Sequence, residues 1–283
     1  MPESPSIIWS NTDYPYICLL DKKRTSAFQS AINEIVNPGD TVLEVGAGTG
    51  ILSLFAANAG ATKVIAVEID PVLEKNLHET VKANKFEDII QIIKGNALTA
   101  DLPKNVDVVI GELIETGLLD EMQVEVINSL HNRSVIGPNT KVLPSSYETY
   151  VQLVHAESTF YGFHIASPKH DWPYYNEDPK NWAPLKITPA SDIQKIGKYD
   201  FQAGPVKNEV EIILDFSIPR GETANAIRLS GVAILTPEIR LGPTNSFNGD
   251  KILNLGEALE GNVKLKISYT MGAGLDNFKF ENI

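Results

Sequence analysis

The chain has 283 residues, enough for one large or two medium domains, and a formal net charge of −12 at pH 7. Acidic residues are spread through both halves, which disfavours a nucleic-acid partner and is compatible with a cationic protein substrate. No apolar run is long enough to span a membrane and no signal pattern opens the sequence, so we expect a cytoplasmic protein without membrane contact. The single Cys18 excludes an intramolecular disulfide and a cysteine-based metal site.

Helical and strand periodicities alternate from about residue 27 to residue 143. The pattern predicts helices over residues 27–36 and 51–58, and strands near 41–45, 63–67, 89–93 and 106–110. Strands that alternate with helices form a parallel, doubly wound sheet. We therefore predict a Rossmann-like α/β domain over residues 1–144, with an N-terminal helical segment.

After Pro144 the pattern changes to short runs of alternating polar and apolar residues, separated by Gly, Pro and Asn. Examples are the runs 147–154, 210–216 and 263–269. This alternation is typical of antiparallel strands, so residues 145–283 are predicted to form a β-barrel or sandwich that serves as the substrate domain. Residues 167–189 are rich in Pro, Trp, Tyr and Asn with little periodicity, and we predict a long ordered loop or projection there.

The first predicted strand stops abruptly at three glycines placed at alternate positions, Gly46, Gly48 and Gly50. Glycine adopts turn conformations that other residues resist, and it lets backbone N–H groups approach a ligand closely. The next strand ends on Glu68, 18 residues after Gly50. Its carboxylate can accept both hydroxyls of a ribose, so the sequence predicts a nucleoside-binding edge.

The acid at Glu44, two positions before Gly46, indicates which nucleoside is bound. A pyrophosphate would be repelled by this carboxylate, and the glycine spacing differs from the Gly-x-Gly-x-x-Gly of dinucleotide sites. A cationic sulfonium and an α-ammonium would be attracted to it. We therefore predict S-adenosylmethionine rather than NAD as cofactor. A tight turn without any ligand is the other alternative, but it does not explain two acids at consecutive strand ends.

Several further motifs accompany the glycine loop. They are Arg24-Thr25 before the first helix, Ile51-Leu52-Ser53-Leu54-Phe55-Ala56-Ala57 after the loop, Val81-Lys82-Ala83-Asn84-Lys85, and Ile92-Ile93-Lys94-Gly95. Together they resemble the catalytic core of protein arginine methyltransferases over residues 20 to 145. The remainder is more loosely similar to the β-barrel of that family, through Ile234-Leu235-Thr236-Pro237 and the C-terminal strands.

The resemblance implies how the methyl donor is held. Arg24 binds the donor carboxylate, the backbone of Gly46 and Gly48 lies against the donor, and Glu68 binds the ribose. The turn beside the adenine contains Asn96, Ala97 and Leu98.

The loop after the fourth strand, Gly111 to Glu121, carries the implied catalytic residues. In the family two glutamates nine residues apart grip the substrate guanidinium, and Glu112 and Glu121 have that spacing. Paired carboxylates match the fork of guanidinium N–H donors and orient one nitrogen toward the methyl group. The alternative is that these acids form the solvated start of a helix over residues 121–130, which the helix dipole favours.

Three departures from the family pattern are present. The Thr-His-Trp turn of the barrel would fall near residues 243–247, so its histidine is absent, and Ile114 and Thr116 replace the Met and Tyr of the double-glutamate loop. The aromatic N-terminal helix that covers the cofactor is represented only by residues 14–16.

The remaining chemically capable residues have structural explanations. The five histidines lack metal-ligand spacing, so we predict no metal site. We expect Trp172, Tyr174, Tyr175 and Trp182 to cap the barrel or to contribute to a homodimer.

Three functional hypotheses follow. The leading hypothesis is a protein methyltransferase acting on arginine or a related nitrogen. The second is a methyltransferase for RNA or a small molecule, although the fourth strand lacks the Asn/Asp-Pro-Pro-aromatic turn that holds a flipped base. The third is a cofactor-binding regulatory or assembly module without catalysis.

Overall fold

A computed structural model describes residues 13–178, 180–183 and 185–283, without the side chain of Asn176. The first half contains α1 (Tyr14–Leu20), α2 (Lys22–Ile35), β1 (Thr41–Val45), α3 (Ile51–Asn58), β2 (Lys63–Glu68), α4 (Pro71–Ala83), β3 (Ile90–Lys94), β4 (Val108–Gly111), α5 (Gln123–Asn132) and β5 (Lys141–Leu143). The predicted residues 1–12 of the N-terminal segment lie outside the described residues.

The five strands of this half form a parallel sheet in the order β3-β2-β1-β4-β5. The chain runs from β1 outward to β3 and then crosses to β4, so the strand order reverses between β1 and β4. Ligands of doubly wound sheets bind at the carboxyl ends of the strands beside such a reversal. The glycine loop, Glu68 and the loop after β4 all begin at that edge.

Two predicted helix starts are wrong. Helix α2 begins at Lys22 rather than at residue 27, because Asp21 caps it by accepting from the Arg24 N–H, whereas the apolar periodicity begins only at Ala27. Helix α5 begins at Gln123 rather than at Glu121. The acids of the preceding loop are therefore not the first turn of a helix.

The second half contains β6 (Ser146–Ala156), β7 (Thr159–Phe160), β8 (Phe163–His164), β9 (Lys169–Asp171), α6 (Pro173–Glu177), β10 (Ile187–Pro189), β11 (Gln194–Asp200), β12 (Glu209–Ser217), β13 (Ala224–Ile234), β14 (Arg240–Leu241), β15 (Asp250–Leu259), β16 (Asn262–Thr270) and β17 (Lys279–Asn282). In the described part of the chain, one antiparallel sheet follows the path β10-β6-β13-β15-β9, and another has the order β12-β16-β17. The predicted fold class, a Rossmann-like domain followed by antiparallel β structure, is confirmed.

The segment 167–189 is more regular than predicted. It contains β9, which pairs with β15, and β10, which pairs with β6, with α6 between them. Both strands obtain their hydrogen bonds from partners far away in the sequence, so local periodicity does not reveal them.

A single cluster of buried side chains joins the two halves. It includes Leu43 and Ile110 of the parallel sheet and Leu229 and Leu265 of the antiparallel sheets. The loop after β4 lies at this junction, with Leu118 fully buried in the same cluster. The position of that loop therefore depends on both halves of the molecule.

Candidate active site

The glycine loop between β1 and α3 requires glycine at its three alternate positions. Gly46, Gly48 and Gly50 have φ angles of 72°, 54° and 80°. A Cβ on Gly46 would lie 2.6 Å from the Leu113 Cδ2 atom, and a Cβ on Gly48 would lie 3.3 Å from the Pro15 Cβ. Helix α1 therefore covers the glycine loop closely, and substitution would both strain the backbone and crowd its neighbours.

Glu68, at the end of β2, connects the strand to the glycine loop. Its Oε2 accepts from the Gly48 N–H at 2.7 Å and its Oε1 accepts from the Asp70 N–H at 2.8 Å. A carboxylate has about four acceptor positions, so each oxygen retains one for a ribose hydroxyl. The buried Glu68 is thus fixed in place before any ligand binds.

Glu44 is more deeply enclosed than a contact with the donor's cationic groups would suggest. Only 2% of it is exposed, and the Ser53 hydroxyl of α3 donates to its carboxylate. Burial raises the pKa of Glu44 to about 8. Its direct contact with the donor therefore stays a prediction.

The turn predicted to lie beside the adenine is held by two sets of contacts. The Asn96 Oδ1 accepts from the Leu98 N–H at 2.9 Å, which closes a local turn. The Arg133 guanidinium donates to the carbonyls of Ala97 and Leu98 at 2.9 and 3.1 Å, and to that of Ala100. Arg133, which follows α5, is a supporting residue that the sequence motifs did not reveal.

Arg24 links two parts of the site. One is the sheet edge with the glycine loop and Glu68, which we call the donor edge, and the other is the loop after β4. It lies in the first turn of α2 with 6% exposure, and its Nη2 donates to the Glu112 carboxylate. Its Nε is buried without a hydrogen-bond partner among the described residues. An unpartnered buried guanidinium donor is suited to a ligand carboxylate, so Arg24, Glu68 and the glycine loop together fit S-adenosylmethionine.

A cavity of about 730 Å³ lies between α1, the glycine loop, α3 and α4. Gly48 and Thr49 line it together with apolar residues such as Leu54 and Leu77. Arg24 and the two acids at the strand ends are not among its lining residues, so this cavity adjoins the predicted donor contacts without including them.

The loop after β4 brings four acids together: Glu112, Glu115, Asp120 and Glu121. Glu112 pairs with Arg24, while the Lys251 ammonium lies 2.9 Å from Glu115 Oε1 and 3.1 Å from Asp120 Oδ2. Glu121 has no ion pair within the part of the chain that the structure describes. Burial, and next the neighbouring Glu112, raise its pKa above the ordinary value.

The same loop is attached to the barrel at several points. The Thr116 hydroxyl donates to the Gly249 carbonyl at 2.6 Å, and the Gly117 N–H donates to the Tyr147 hydroxyl at 3.1 Å. Gly117 has a φ of 73°, and a Cβ there would lie 2.6 Å from the Leu229 Cδ2. The tight turn between Glu112 and Glu121 therefore needs glycine at position 117.

The barrel segment 243–247 contacts the N-terminal helices. The Asp21 Oδ2 accepts from the Thr244 hydroxyl at 2.5 Å, the Ser246 N–H at 2.8 Å and the Ser246 hydroxyl at 2.9 Å. The Tyr14 hydroxyl donates to the Ser246 carbonyl at 2.9 Å. Thr244 and Ser246 thus attach this segment to the residue that caps α2.

Comparison with known proteins adds independent observations. Residues 23–137 match the family model of the ribosomal protein L11 methyltransferase (PrmA). The uncharacterized protein MJ1452 of Methanocaldococcus jannaschii is 32% identical over 266 residues, which is 93% of this chain and 94% of that protein. The chain belongs to the same family as MJ1452.

The chain is also similar to protein arginine methyltransferases. Protein arginine N-methyltransferase 9 of Homo sapiens is 32% identical over 162 residues, which is 56% of this chain and 19% of the human protein. A chain of the Trypanosoma brucei PRMT1 enzyme-prozyme heterotetrameric complex with AdoHcy has a TM-score of 0.72 at 20% identity, covering 96% of this chain and 98% of that chain. At that identity the likeness shows the fold. The resemblance predicted from the sequence is confirmed: this member of the MJ1452 family is an arginine methyltransferase-like, S-adenosylmethionine-dependent methyltransferase.

Besides Arg133 and Lys251, two further residues near the site of this MJ1452-family protein, Asp21 and His170, were not identified from the sequence as site residues. Asp21 was detectable, because an Asp before a helix start is a favoured N-cap. The sequence predicts a structural role for His170, but in the fold its Nε2 donates to the Gly249 carbonyl at 2.6 Å and lies 3.8 Å from the Glu115 Oε1. Burial, and next the Lys251 charge, lower the pKa of His170 to about 4, so the ring is neutral at physiological pH.

Proposed function

We propose that the protein transfers the methyl group of S-adenosylmethionine to a guanidinium nitrogen of arginine in a cationic protein substrate. The distribution of charge on the loop after β4 carries this proposal. Arg24 and Lys251 pair with three of the four acids and leave Glu121 without an ion pair in the described chain. Glu121 is half-buried next to Glu112, which is an environment suited to an incoming cation.

We propose that different residues bind different parts of the methyl donor. Arg24 would bind the donor carboxylate through its Nε, which has no hydrogen-bond partner among the described residues. Glu68 would bind the ribose, and the backbone of the glycine loop would lie against the donor. When bound, S-adenosylmethionine supplies a methyl group on a cationic sulfur. The donor contacts would hold the cofactor at the carboxyl edge of the sheet, where the loop after β4 also begins.

On the acceptor side, Glu112 and Glu121 would hold the guanidinium fork and direct one terminal nitrogen at the methyl group. A carboxylate that holds the acceptor guanidinium can also take the proton that the attacked nitrogen loses on methylation. We assign this role to Glu121, because Glu112 already pairs with Arg24.

The proposal extends to partners and location. The Trypanosoma brucei comparison structure is a heterotetrameric complex, and we propose that this protein forms a homodimer and is cytoplasmic. No helix in the described ranges is both long enough and apolar enough to cross a membrane. Neither an RNA nor a small-molecule acceptor is favoured by the contacts described above.

The test is methyl transfer from labelled S-adenosylmethionine to a peptide with a single arginine, against the same peptide with lysine in its place. The variants are Glu121→Gln and, as a matched control on the barrel surface, Glu211→Gln, whose exposed acid pairs with Lys266. We expect label on the arginine peptide alone, recovered as methylarginine after acid hydrolysis. Glu121→Gln should lose transfer with donor binding retained.

A second acceptor source separates the alternatives. Lysate proteins and nucleic acids are offered to the enzyme and then treated with protease or with nuclease. Label removed by nuclease would refute the protein acceptor and favour RNA. Donor binding without label in any fraction would contradict catalysis and favour a regulatory module.

A further inference from the structure

Lys251 of β15 is an unusual feature of the barrel because its charge is enclosed. Its side chain is 10% exposed, and its ammonium contacts Glu115 and Asp120 at 2.9 and 3.1 Å. Buried ion pairs contribute little net stability compared with apolar residues of similar size, because both charges must leave water. Stability alone is therefore a weak explanation for a lysine at this position.

The two partners of Lys251 flank the acids proposed to bind the acceptor. Glu115 lies three residues after Glu112, and Asp120 directly precedes Glu121. One ammonium thus connects the two arms of the turn whose ends carry Glu112 and Glu121. The Asp120 Oδ1 also accepts from the Leu275 N–H at 3.1 Å, so the second arm is held from two sides.

The lysine also determines how many charges the site presents. Without a cation from the barrel, Glu115 and Asp120 would compete with Glu112 and Glu121 for a guanidinium. Because Lys251 pairs with Glu115 and Asp120, a cationic acceptor meets Glu121 and the Arg24-paired Glu112 instead. The geometry and the charge of the acceptor site therefore both depend on a residue 130 positions after Glu121.

We propose that Lys251 is a positioning residue for the acceptor: its ammonium joins Glu115 and Asp120 so that Glu112 and Glu121 face one guanidinium. This inference rests on the proposed function. Lys251 does not contact the acceptor itself. Its loss should therefore reduce the rate at which the bound acceptor reacts more than the binding of the acceptor.

The test compares Lys251→Met, which retains much of the stem and removes the charge, with Lys251→Arg, which keeps a cation. The control is Lys195→Met, because Lys195 makes an ion pair with Glu148 at 3.0 Å elsewhere on the barrel. For Lys251→Met we expect kcat to fall on the order of 10- to 100-fold, because misorientation of about 1 Å has such effects. The peptide KM and the donor Kd should stay within about threefold of wild type, since their contacts remain.

If Lys251 acts through Glu115 and Asp120, two further results are expected. Lys251→Arg should recover most of kcat, because the guanidinium can contact the same two carboxylates. Glu115→Gln combined with Lys251→Met should be no worse than Lys251→Met alone, since the pair acts as one unit. Lys195→Met should keep the wild-type kcat.

The proposal is overturned if Lys251→Met has the wild-type kcat per folded molecule, whatever its thermal stability. It is also overturned if the losses of Lys251→Met and Glu115→Gln are additive. Where Lys251→Met does not fold, Lys251→Gln and Glu115→Gln, each normalised by donor binding, give the same comparison. Failure of the proposed function is distinct, because wild type itself would then not label the arginine peptide.

Discussion

The donor edge, formed by the glycine loop and Glu68, differs from the acceptor loop, residues 111–121, in the contacts that hold it. At the donor edge, contacts are local: Glu68 accepts from Gly48 and Asp70, 20 and two residues away. In the acceptor loop, contacts come from the barrel: Thr116 reaches Gly249, 133 residues later in the chain. The first region is specified by a short stretch of sequence, whereas the second exists only when both halves are folded together.

Because the two regions are held by different contacts, substitutions in them should have different effects. A change at the donor edge should alter donor affinity and leave the acceptor geometry intact. A change in the barrel should alter the acceptor loop without a change in donor affinity. Glu112 is the exception, because its contact with Arg24 joins the two regions.

The largest effect is expected for Glu112→Gln. The amide removes the charge that pairs with Arg24 and one of the two carboxylates proposed to orient the acceptor. We expect kcat to fall by about 100-fold or more and donor affinity to weaken by about tenfold. Calorimetric titration with the donor and peptide methylation assays check both quantities.

The matched variant is Glu121→Gln, which should lose kcat alone. If both variants retained wild-type donor affinity, the connection between the two regions through Arg24 would be wrong. If Glu121→Gln weakened donor binding as strongly as Glu112→Gln, the division of labour between the two acids would be wrong.

The second effect is on stability and concerns the acceptor loop. Gly117→Ala places a Cβ 2.6 Å from the Leu229 Cδ2 at a φ of 73°. We expect a cost of about 2 kcal/mol in the free energy of unfolding, with a fall of about 5 °C in the unfolding midpoint. Gly242→Ala, where nothing lies within 4 Å of the added Cβ, should cost less than about 0.5 kcal/mol. Equal midpoints in a thermal scan would contradict the constraint at Gly117.

The third effect is confined to the donor edge. Glu68→Gln keeps the shape but gives up one acceptor oxygen and the charge, so donor Kd should rise by about tenfold. At saturating donor, kcat should return to within about twofold of wild type, because the acceptor loop is unaffected. A kcat that stayed low at saturation would mean that the two regions are coupled through more than Glu112.

The same division explains what the sequence could predict. The span of α3 and the placement of Gly46, Gly48, Gly50 and Glu68 at one sheet edge follow from local patterns, since strand, turn and helix are specified by adjacent residues. The change from alternating helices and strands to antiparallel strands was equally visible in the periodicity. Glu68 and the three glycines lie at the strand ends where the pattern places them, whereas Arg24, predicted to precede the first helix, lies in the first turn of α2.

The parts that the sequence could not predict depend on distant residues. The spacing of Glu112 and Glu121 was visible, but their environment was not, because it is set by Arg24, Tyr147 and Lys251. The strands β9 and β10 exist through pairing with β15 and β6. Helix α5 was placed two residues too early because the acids before it resemble a favourable first turn.

The smallest expected effect concerns Asp21, where the N-terminal helices meet the barrel. Burial by itself raises the pKa of Asp21, but hydrogen bonds from Thr244, Arg24 and Ser246 outweigh it, so the pKa lies below the ordinary value. A carboxyl whose pKa is lower in the folded state stabilises the fold above its unfolded pKa, and this contribution is lost as pH falls through the folded value. Wild type should therefore lose stability in the acid range through this group.

Asp21→Asn should be less stable than wild type near neutral pH and should lose less on acidification, so that the two stability curves converge. Thr244→Val removes one donor and should give an intermediate curve. Urea unfolding from about pH 7 to about pH 3 measures all three. Parallel curves would mean that the carboxylate charge of Asp21 is not what attaches the barrel to α2. Converging curves would show that the charge of Asp21, which accepts from Thr244 and Ser246, contributes to the attachment of the barrel to α2.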